Sequence, residues 1–560
     1  MNLSSIIAKE KDGYYHPKNE DEVVALVKYA AANKLQIRVR GASHSTAHSI
    51  FTDPVDELPV NMTLTRTPPT GANLNLAMDR MIALEWIDEA SGIAEAEAGI
   101  HLGLDPYDPI GTSTLENSLL YQLSQKGWGI NDLGGITHQT VSGFTAAGSS
   151  GGSLIYDLDN VIAFRVVDGT GNALWIEETD PAFQAMCVSV GLLGIVTKVR
   201  LRCNRAFTIS GQENTTPTTG PVCPIDLFGA GEAGKPSLRQ FLEQTPYSRI
   251  MWWPQKGADR VVIWQADRHD EPPPLGYKPI PYQEFTTDLI GWLKQLVGSI
   301  FFVLLGNSKP DDIKSKLSTN FARFNECVAQ VPLPVPAAWV TEIVQAILDP
   351  FIQFFTENPC ALQELFPTAL DLLQPMSKGK PTLFNDYYWS SLPMDNTADD
   401  VLLGTEFTEI WIPIQYTEQC MNLLKGLFDA PDSPAVGYYS TEIYGTKKNG
   451  HWLSPAYSDG QDEYKDGVVR FDVFWFRGNE GAPNVRGGFY QQYWDLFRAN
   501  NIPFRFHWGK FIPAYDFADW AAFYRQAWPK MDDFLKLRQE RDPEGVFFTR
   551  YWRQRLLGEA

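Results

Sequence analysis

From Gly134 to Ser153 the chain reads Gly-Gly-Ile-Thr-His-Gln-Thr-Val-Ser-Gly-Phe-Thr-Ala-Ala-Gly-Ser-Ser-Gly-Gly-Ser, with too few bulky side chains to fill a hydrophobic core. Small residues let backbone amides and hydroxyls approach a ligand closely, which suits a pyrophosphate or the edge of a planar ring. Loops of this length tend to be functional. A shorter segment of the same kind, Gly41-Ala42-Ser43-His44-Ser45, follows Gln36-Ile37-Arg38-Val39-Arg40, which reads as a strand. Neither has the GxGxxG spacing, and Gly169-Thr170-Gly171 lacks the third small residue, so a nicotinamide-type Rossmann site is not supported.

Around these segments the pattern is α/β at first. Asn19 and Glu22 resemble a capping box ahead of Val23, Val24, Leu26, Val27 and Ala30 at helical spacing. Val161–Val167 and Ala173–Ile176 read as strands, and Gly191 to Val199 as a tight turn into another. Beyond residue 206 Pro and Gly punctuate the chain, and two apolar stretches appear, Leu289–Leu305 and Ala337–Phe355. Each carries charge and falls short of a clean membrane span, so buried helices or the lips of a lipid-accessible pocket are the two readings. Val468–Arg477 and Pro503–His507 read as strands of a large antiparallel sheet, and Phe517–Arg541 as one helical run. The fold expected is α+β. Three parts are expected, 1–205, 206–502 with an apolar insert at 270–400, and 503–560.

Composition narrows the function. With 560 residues, two or three domains are the prior. The 47 Lys+Arg against 67 Asp+Glu give a net charge of −20, without a basic run, which argues against a nucleic-acid partner. The six cysteines are scattered without CxxC or zinc spacing, so no metal site is expected. No signal-peptide pattern opens the chain, which points to a cytoplasmic address.

Taken in order, these segments resemble the vanillyl-alcohol oxidase (PCMH-type) superfamily of FAD-binding proteins, most strongly over residues 10–205 and 503–555. Arg40-Gly41-Ala42-Ser43-His44-Ser45 is similar to the loop whose histidine bonds the flavin, with Gly-Ala-Ser-His where relatives read Gly-Gly-Gly-His. Leu133-Gly134-Gly135-Ile136 with Gln139, Gly143 and Gly148 resembles the second FAD-binding segment, although Ser149-Ser150-Gly151 stands where many relatives have Thr-His-Gly. Gly194-Ile195-Val196-Thr197, with Ile195, resembles the strand that backs the cofactor. His507-Trp508-Gly509-Lys510 and Asp542-Pro543-Glu544-Gly545 resemble the closing motifs of the aldonolactone and alditol oxidase branch.

The resemblance implies FAD, bonded through His44, and an alcohol oxidase that passes hydride to the flavin and electrons to dioxygen. It also implies that residues 1–205 bind the nucleotide cofactor, that 206–502 bind substrate and that 503–560 return to the cofactor. His507 would touch the substrate hydroxyl, and Lys510 would offset the charge of the reduced ring. Strand alternation would place His507 and Trp508 on opposite faces. The family's acid–x–arginine pair has no clean counterpart: Glu442 with Tyr444, or Asp472 with Arg477, are the candidates. Gly134 would leave room for oxygen. The apolar insert and the chain's length resemble covalent-flavin cholesterol oxidases, so a bulky sterol-like alcohol is the expected substrate. An aldonolactone or polyol oxidase is the alternative, and a flavin-binding protein without turnover a further one. Transient contact with a membrane surface is compatible with the insert.

Overall fold

The computed structural model describes residue 3 and residues 7–54, 67–108, 110–157, 159–282, 288–306, 309–394, 402, 404–430, 438–476 and 486–559. Helix Glu20–Ala32 starts where the sequence places it. The Asn19 side chain accepts from the Glu22 N–H at 3.0 Å, while Glu22 reaches past Asn19 to the Lys18 N–H at 2.8 Å. Val23, Leu26, Val27 and Ala30 form its buried face. Strand Ile37–Arg40 pairs in parallel with Leu74–Ala77, and the chain turns directly from it into the His44 loop.

An antiparallel five-stranded sheet follows, ordered Leu84–Asp88, Ile93–Glu97, Ile195–Arg202, Val161–Val167, Ala173–Glu177. Helix Val141–Ala147 forms the middle of the small-residue segment, capped by Thr140 and ended by Gly148 at φ +71°. An antiparallel eight-stranded sheet takes up the later chain. Its central run is Tyr247–Trp253, Tyr438–Thr446, Val468–Phe476, Thr405–Pro413, with the short strand Arg505–Phe506 at the edge. The two sheets share one continuous core that includes Phe164, Val199, Ile250, Ile443 and Trp494. The α+β class and the antiparallel sheet expected from sequence are both present.

The insert is helical: Leu289–Gly306, Pro310–Val328, Ala337–Glu357 and Pro359–Leu373. It closes over a second core of its own, in which Phe301 and Phe302 lie 5.6 and 6.1 Å from Phe366, joined from outside the insert by Met251, Trp253, Ala258 and Leu402. Among the described residues no helix is long and apolar enough to cross a membrane.

Two expected elements differ. Phe517–Arg541 is two helices, Phe517–Ala527 and Met531–Arg541, because Pro529 has no N–H to continue the first. Pro503–His507 contributes only Arg505 and Phe506 to the sheet, and residues 507–510 form a turn, so strand alternation does not separate His507 from Trp508. The C-terminal segment then returns to the beginning of the chain: the Ile37 N–H donates to the Val546 carbonyl at 2.9 Å, and the Thr46 N–H to the Gly509 carbonyl at 2.8 Å.

Candidate functional site

Three loops meet around an open cleft of about 1080 Å³, mouth included. The His44 loop forms one wall, helix Val141–Ala147 and its approach another, and the turns Ser189–Gly191 and Gly194–Val196 the floor. His507, Trp508, Gly509 and Lys510 close it from the C-terminal side. Ser43 is held at φ +64°, an uncommon conformation for a non-glycine residue, and Arg40 Nη1 donates to its Oγ at 2.8 Å. Lys510 Nζ donates to the His44 carbonyl at 3.3 Å, which fixes the lysine beside the histidine.

The lining fits a dinucleotide. Backbone amides and small side chains dominate, and two buried oxygens on the wall, Ser189 Oγ and Gln139 Oε1, have no hydrogen-bond partner among the described residues. Unpaired buried polar atoms are costly, and a polar ligand would satisfy them.

Facing this cleft, the large sheet carries a buried charged patch that register explains. Glu442 pairs with Asp472, and Asp472 pairs with Glu409, so three carboxylates stand in one row across three strands. Two residues along, on the same face, Tyr444 and Trp411 flank Arg470. Arg470 is the hub: it pairs with Glu442, with Asp472 at 2.6 Å and with Glu409 at 3.5 Å, and its guanidinium lies 3.7 Å from the Tyr444 ring centroid. Trp411 Nε1 donates to Glu409 at 2.6 Å, and the His507 N–H to the Glu409 carbonyl at 3.1 Å.

The environment splits these acids. Burial opposes the Glu409 charge, but His507, Arg470 and Lys510 outweigh it and hold the carboxyl below its ordinary range. Asp472 goes the other way: burial, reinforced by Glu409 and Glu442, raises it well above the ordinary value despite Arg470. Burial pushes His507 down to about 4, so it is neutral. Its Nδ1 accepts from the Gly509 N–H at 3.1 Å, which assigns the ring proton to Nε2. Burial also lowers Lys510, against the pull of Glu409 and Asp472.

Of the residues singled out from sequence, Gly41, Ala42, Ser43, His44, Ser45, Gln139, Gly143, Ile195, His507 and Lys510 line the cleft. Arg40 stands behind it, bracing Ser43. Gly134 instead touches the large sheet, its carbonyl accepting from Arg249 at 3.4 Å, and the Gly135 carbonyl accepts from the Met394 N–H at 2.8 Å. Ile136 is half-buried, and Gly148 caps its helix and borders a neighbouring cavity. Glu442 belongs to the charged patch, whereas Arg477 lies outside the described residues. The arginine at the hub is Arg470, and the pair reads arginine–x–acid, Arg470-Phe471-Asp472. Sequence reading missed Glu409, Arg470 and Trp411. A signal was present: Thr408-Glu409-Ile410-Trp411 and Thr441-Glu442-Ile443-Tyr444 share one pattern, an acid among residues that favour buried strands.

Residues 12–104 match the family described as FAD binding domain. The chain is 27% identical to D-arabinono-1,4-lactone oxidase of Saccharomyces cerevisiae over 275 residues, 48% of this chain and 43% of that protein. It is 21% identical to L-gulonolactone oxidase of Scyliorhinus torazame over 475 residues, 80% of this chain and 88% of that one. Thus the match spans less than half of the yeast relative. Two structures of cholesterol oxidase from Brevibacterium sterolicum superimpose with TM-scores of 0.62 and 0.61 at 14% and 15% identity, covering 97% of this chain and 94% of each. These likenesses fit the vanillyl-alcohol oxidase superfamily, and FAD is the cofactor they support.

Proposed function

We propose that the chain is an FAD-dependent oxidase of CH–OH groups, with FAD bonded through His44 and dioxygen as acceptor. The observation that carries this reading is the buried row Glu409–Asp472–Glu442 around Arg470, set against Lys510 and His507 at the mouth of the cleft. The Gly41–Ser45 loop, Gln139, Gly143, Ser189 and Ile195 would hold FAD, which supplies an acceptor for hydride and, once reduced, a donor to dioxygen. Arg470 and Lys510 stand among the buried acids Glu409, Glu442 and Asp472, so the patch offers both donors and acceptors to neutral hydroxyls. Glu409, charged and held by Trp411, is the group able to accept a hydroxyl proton, and Nε2–H of His507 can donate to the substrate oxygen. Lys510 offsets negative charge gained at the cleft.

The patch favours a hydroxyl-rich substrate of the aldonolactone or polyol class, since buried acids and a guanidinium match several hydroxyls. Phe301 and Phe302 pack within the insert's own core, which supports the same class. A bulky apolar alcohol is the second reading, supported by Trp411 and Tyr444 flanking Arg470 and by the fold shared with cholesterol oxidase. Anaerobic flavin reduction and peroxide release on gulonolactone, sorbitol and cholesterol test both. Reduction by the first two supports the favoured class, reduction by cholesterol alone selects the second reading, and reduction by none of a wide alcohol panel removes the oxidase reading. Denatured protein should keep fluorescent flavin in a gel, and His44→Ala should release it. A still-bound flavin in that variant sinks the attachment.

A further inference from the structure

Behind helix Val141–Ala147 lies a second chamber of about 1100 Å³, mouth included, as large as the cofactor cleft itself. The helix divides the two by its faces. Ser142, Gly143, Ala146 and Ala147 line the cleft, whereas Val141, Phe144, Thr145 and the capping Gly148 line the chamber. The oxidation proposed above makes no use of this space. Its inner wall is apolar and aromatic: Leu102, Leu119, Phe144, Phe164 and Phe183 are all buried, and the last two rings stand 5.7 Å apart at 42°. Protein interiors are packed as densely as organic crystals and hold few voids larger than a water molecule, so a chamber of this size beside phenyl rings has the form of a ligand site.

The mouth is polar and acidic. Asp159 and Glu178 border it; Glu178 is paired with Arg202 at 2.8 Å and neighbouring Asp157 with Lys447 at 2.9 Å, which leaves the charge of Asp159 in excess. His451 stands 3.8 Å from Asp159, and burial pushes its ring down to about 4, so it adds no positive charge. Between mouth and wall sits Gln184. Its backbone carbonyl accepts from the Trp452 N–H at 3.0 Å, which ties this part of the wall to residues 449–452. Its side-chain Oε1 is buried beside Gly450 and has no hydrogen-bond partner among the described residues. Leaving a buried acceptor unpaired is costly, and a donor carried in by a ligand would satisfy it.

We infer that this chamber is a second small-molecule site, separate from the cofactor cleft, for a neutral aromatic ligand that carries a hydrogen-bond donor, of the phenol or indole kind. Phe144, Phe164 and Phe183 receive the flat apolar body, and Gln184 Oε1 accepts from its O–H or N–H. The apolar wall and the acidic mouth select against carboxylates, because a carboxylate moved into such a space loses its hydration and finds no cation.

Crystals of the full-length, FAD-loaded protein soaked in 4-iodophenol test the placement, because iodine is located by its anomalous scattering. The iodine peak is expected among Phe144, Phe164 and Phe183. Calorimetric titration of the same FAD-loaded protein tests the chemistry. 4-Iodophenol should bind at least about tenfold more tightly than 4-iodobenzoate. Gln184→Leu should weaken 4-iodophenol about fivefold, the worth of one hydrogen bond, and leave iodobenzene within about twofold. Val161→Phe, which adds a ring at a half-buried lining position, should abolish binding of 4-iodophenol and iodobenzene alike. Where that variant is insoluble, Gln184→Leu and the anomalous map decide. An iodine peak found only in the cofactor cleft or on the large sheet overturns the site, as does binding that survives Val161→Phe. Equal affinity for the phenol and the benzoate, or an unchanged phenol affinity in Gln184→Leu, overturns the ligand class.

Discussion

Replacing Arg470 with methionine isolates the buried charge at the centre of the sheet. The guanidinium pairs with three carboxylates, of which Glu409 is 1% exposed and Glu442 5%. Removing one partner of a buried ion pair typically costs about 3–5 kcal/mol, because the other charge remains unsolvated. Here the cost must depend on pH. In the parent, Glu409 is held below its ordinary range, with Arg470 among the causes, so its contribution is fully present above the unfolded-state value of about 4.3 and is lost as pH falls through the folded one. Without Arg470 part of that support is gone: the folded carboxyls bind protons more readily than in the parent, so the variant falls further behind the parent as pH rises. The variant should therefore trail the parent by about 3–5 kcal/mol at pH 8 and by less than about 2 kcal/mol at pH 4.5. Urea unfolding followed by tryptophan emission, with FAD saturating in both proteins, measures the gap. An equal gap at the two pH values, or one below about 1 kcal/mol at pH 8, would show that the carboxylates do not depend on Arg470.

Three further outcomes follow from the same geometry. Gly134→Ala places a methyl at ordinary contact, 3.5 Å from the Ser150 nitrogen and 3.8 Å from Phe144, but at φ +63°. It should cost about 1–2 kcal/mol and slow reoxidation by oxygen more than turnover with an artificial acceptor, whereas an equal fall in both would make Gly134 a turn residue only. Gly151→Ala drives a methyl to 2.0 Å from the Tyr444 ring at φ +121°, so melting temperature and flavin-reduction rate should both drop, and an unchanged rate would detach Tyr444 from the site. Lys510→Met should slow stopped-flow flavin reduction about 100-fold for any substrate, and a change confined to KM would reassign the lysine to binding.

The cofactor loops could be read from sequence because their composition is abnormal for a core: the run of glycine, serine and alanine after Leu133 and the Gly41–Ser45 segment stand out without knowledge of the fold. The charged patch could not, because it exists only in register. Glu409, Glu442 and Asp472 lie on three strands separated by long connections, and alone each resembles a solvent-facing charge on an alternating strand. Only the pairing of Glu442 with Asp472 and of Asp472 with Glu409 makes them neighbours. An acid followed by an arginine describes Asp472 and Arg477, whereas the arginine beside the patch, Arg470, precedes Asp472 by two residues. The insert's helices were visible as apolar stretches, but composition does not say whether apolar side chains face a ligand or one another, and Phe301 against Phe366 answers that by packing.

The insert's separate core also affects how such a chain can change. A substitution among residues 289–373 is felt chiefly by neighbouring helices, since most of its buried apolar residues pack against one another and the large sheet meets them along one side, through Met251, Trp253 and the Arg260–Asp371 pair. The flavin-facing half enjoys no such insulation, because both sheets draw on one continuous core. Innovation is therefore cheapest in the helical cap, which can drift, lengthen or be exchanged as a cassette while the oxidation machinery keeps its alignment.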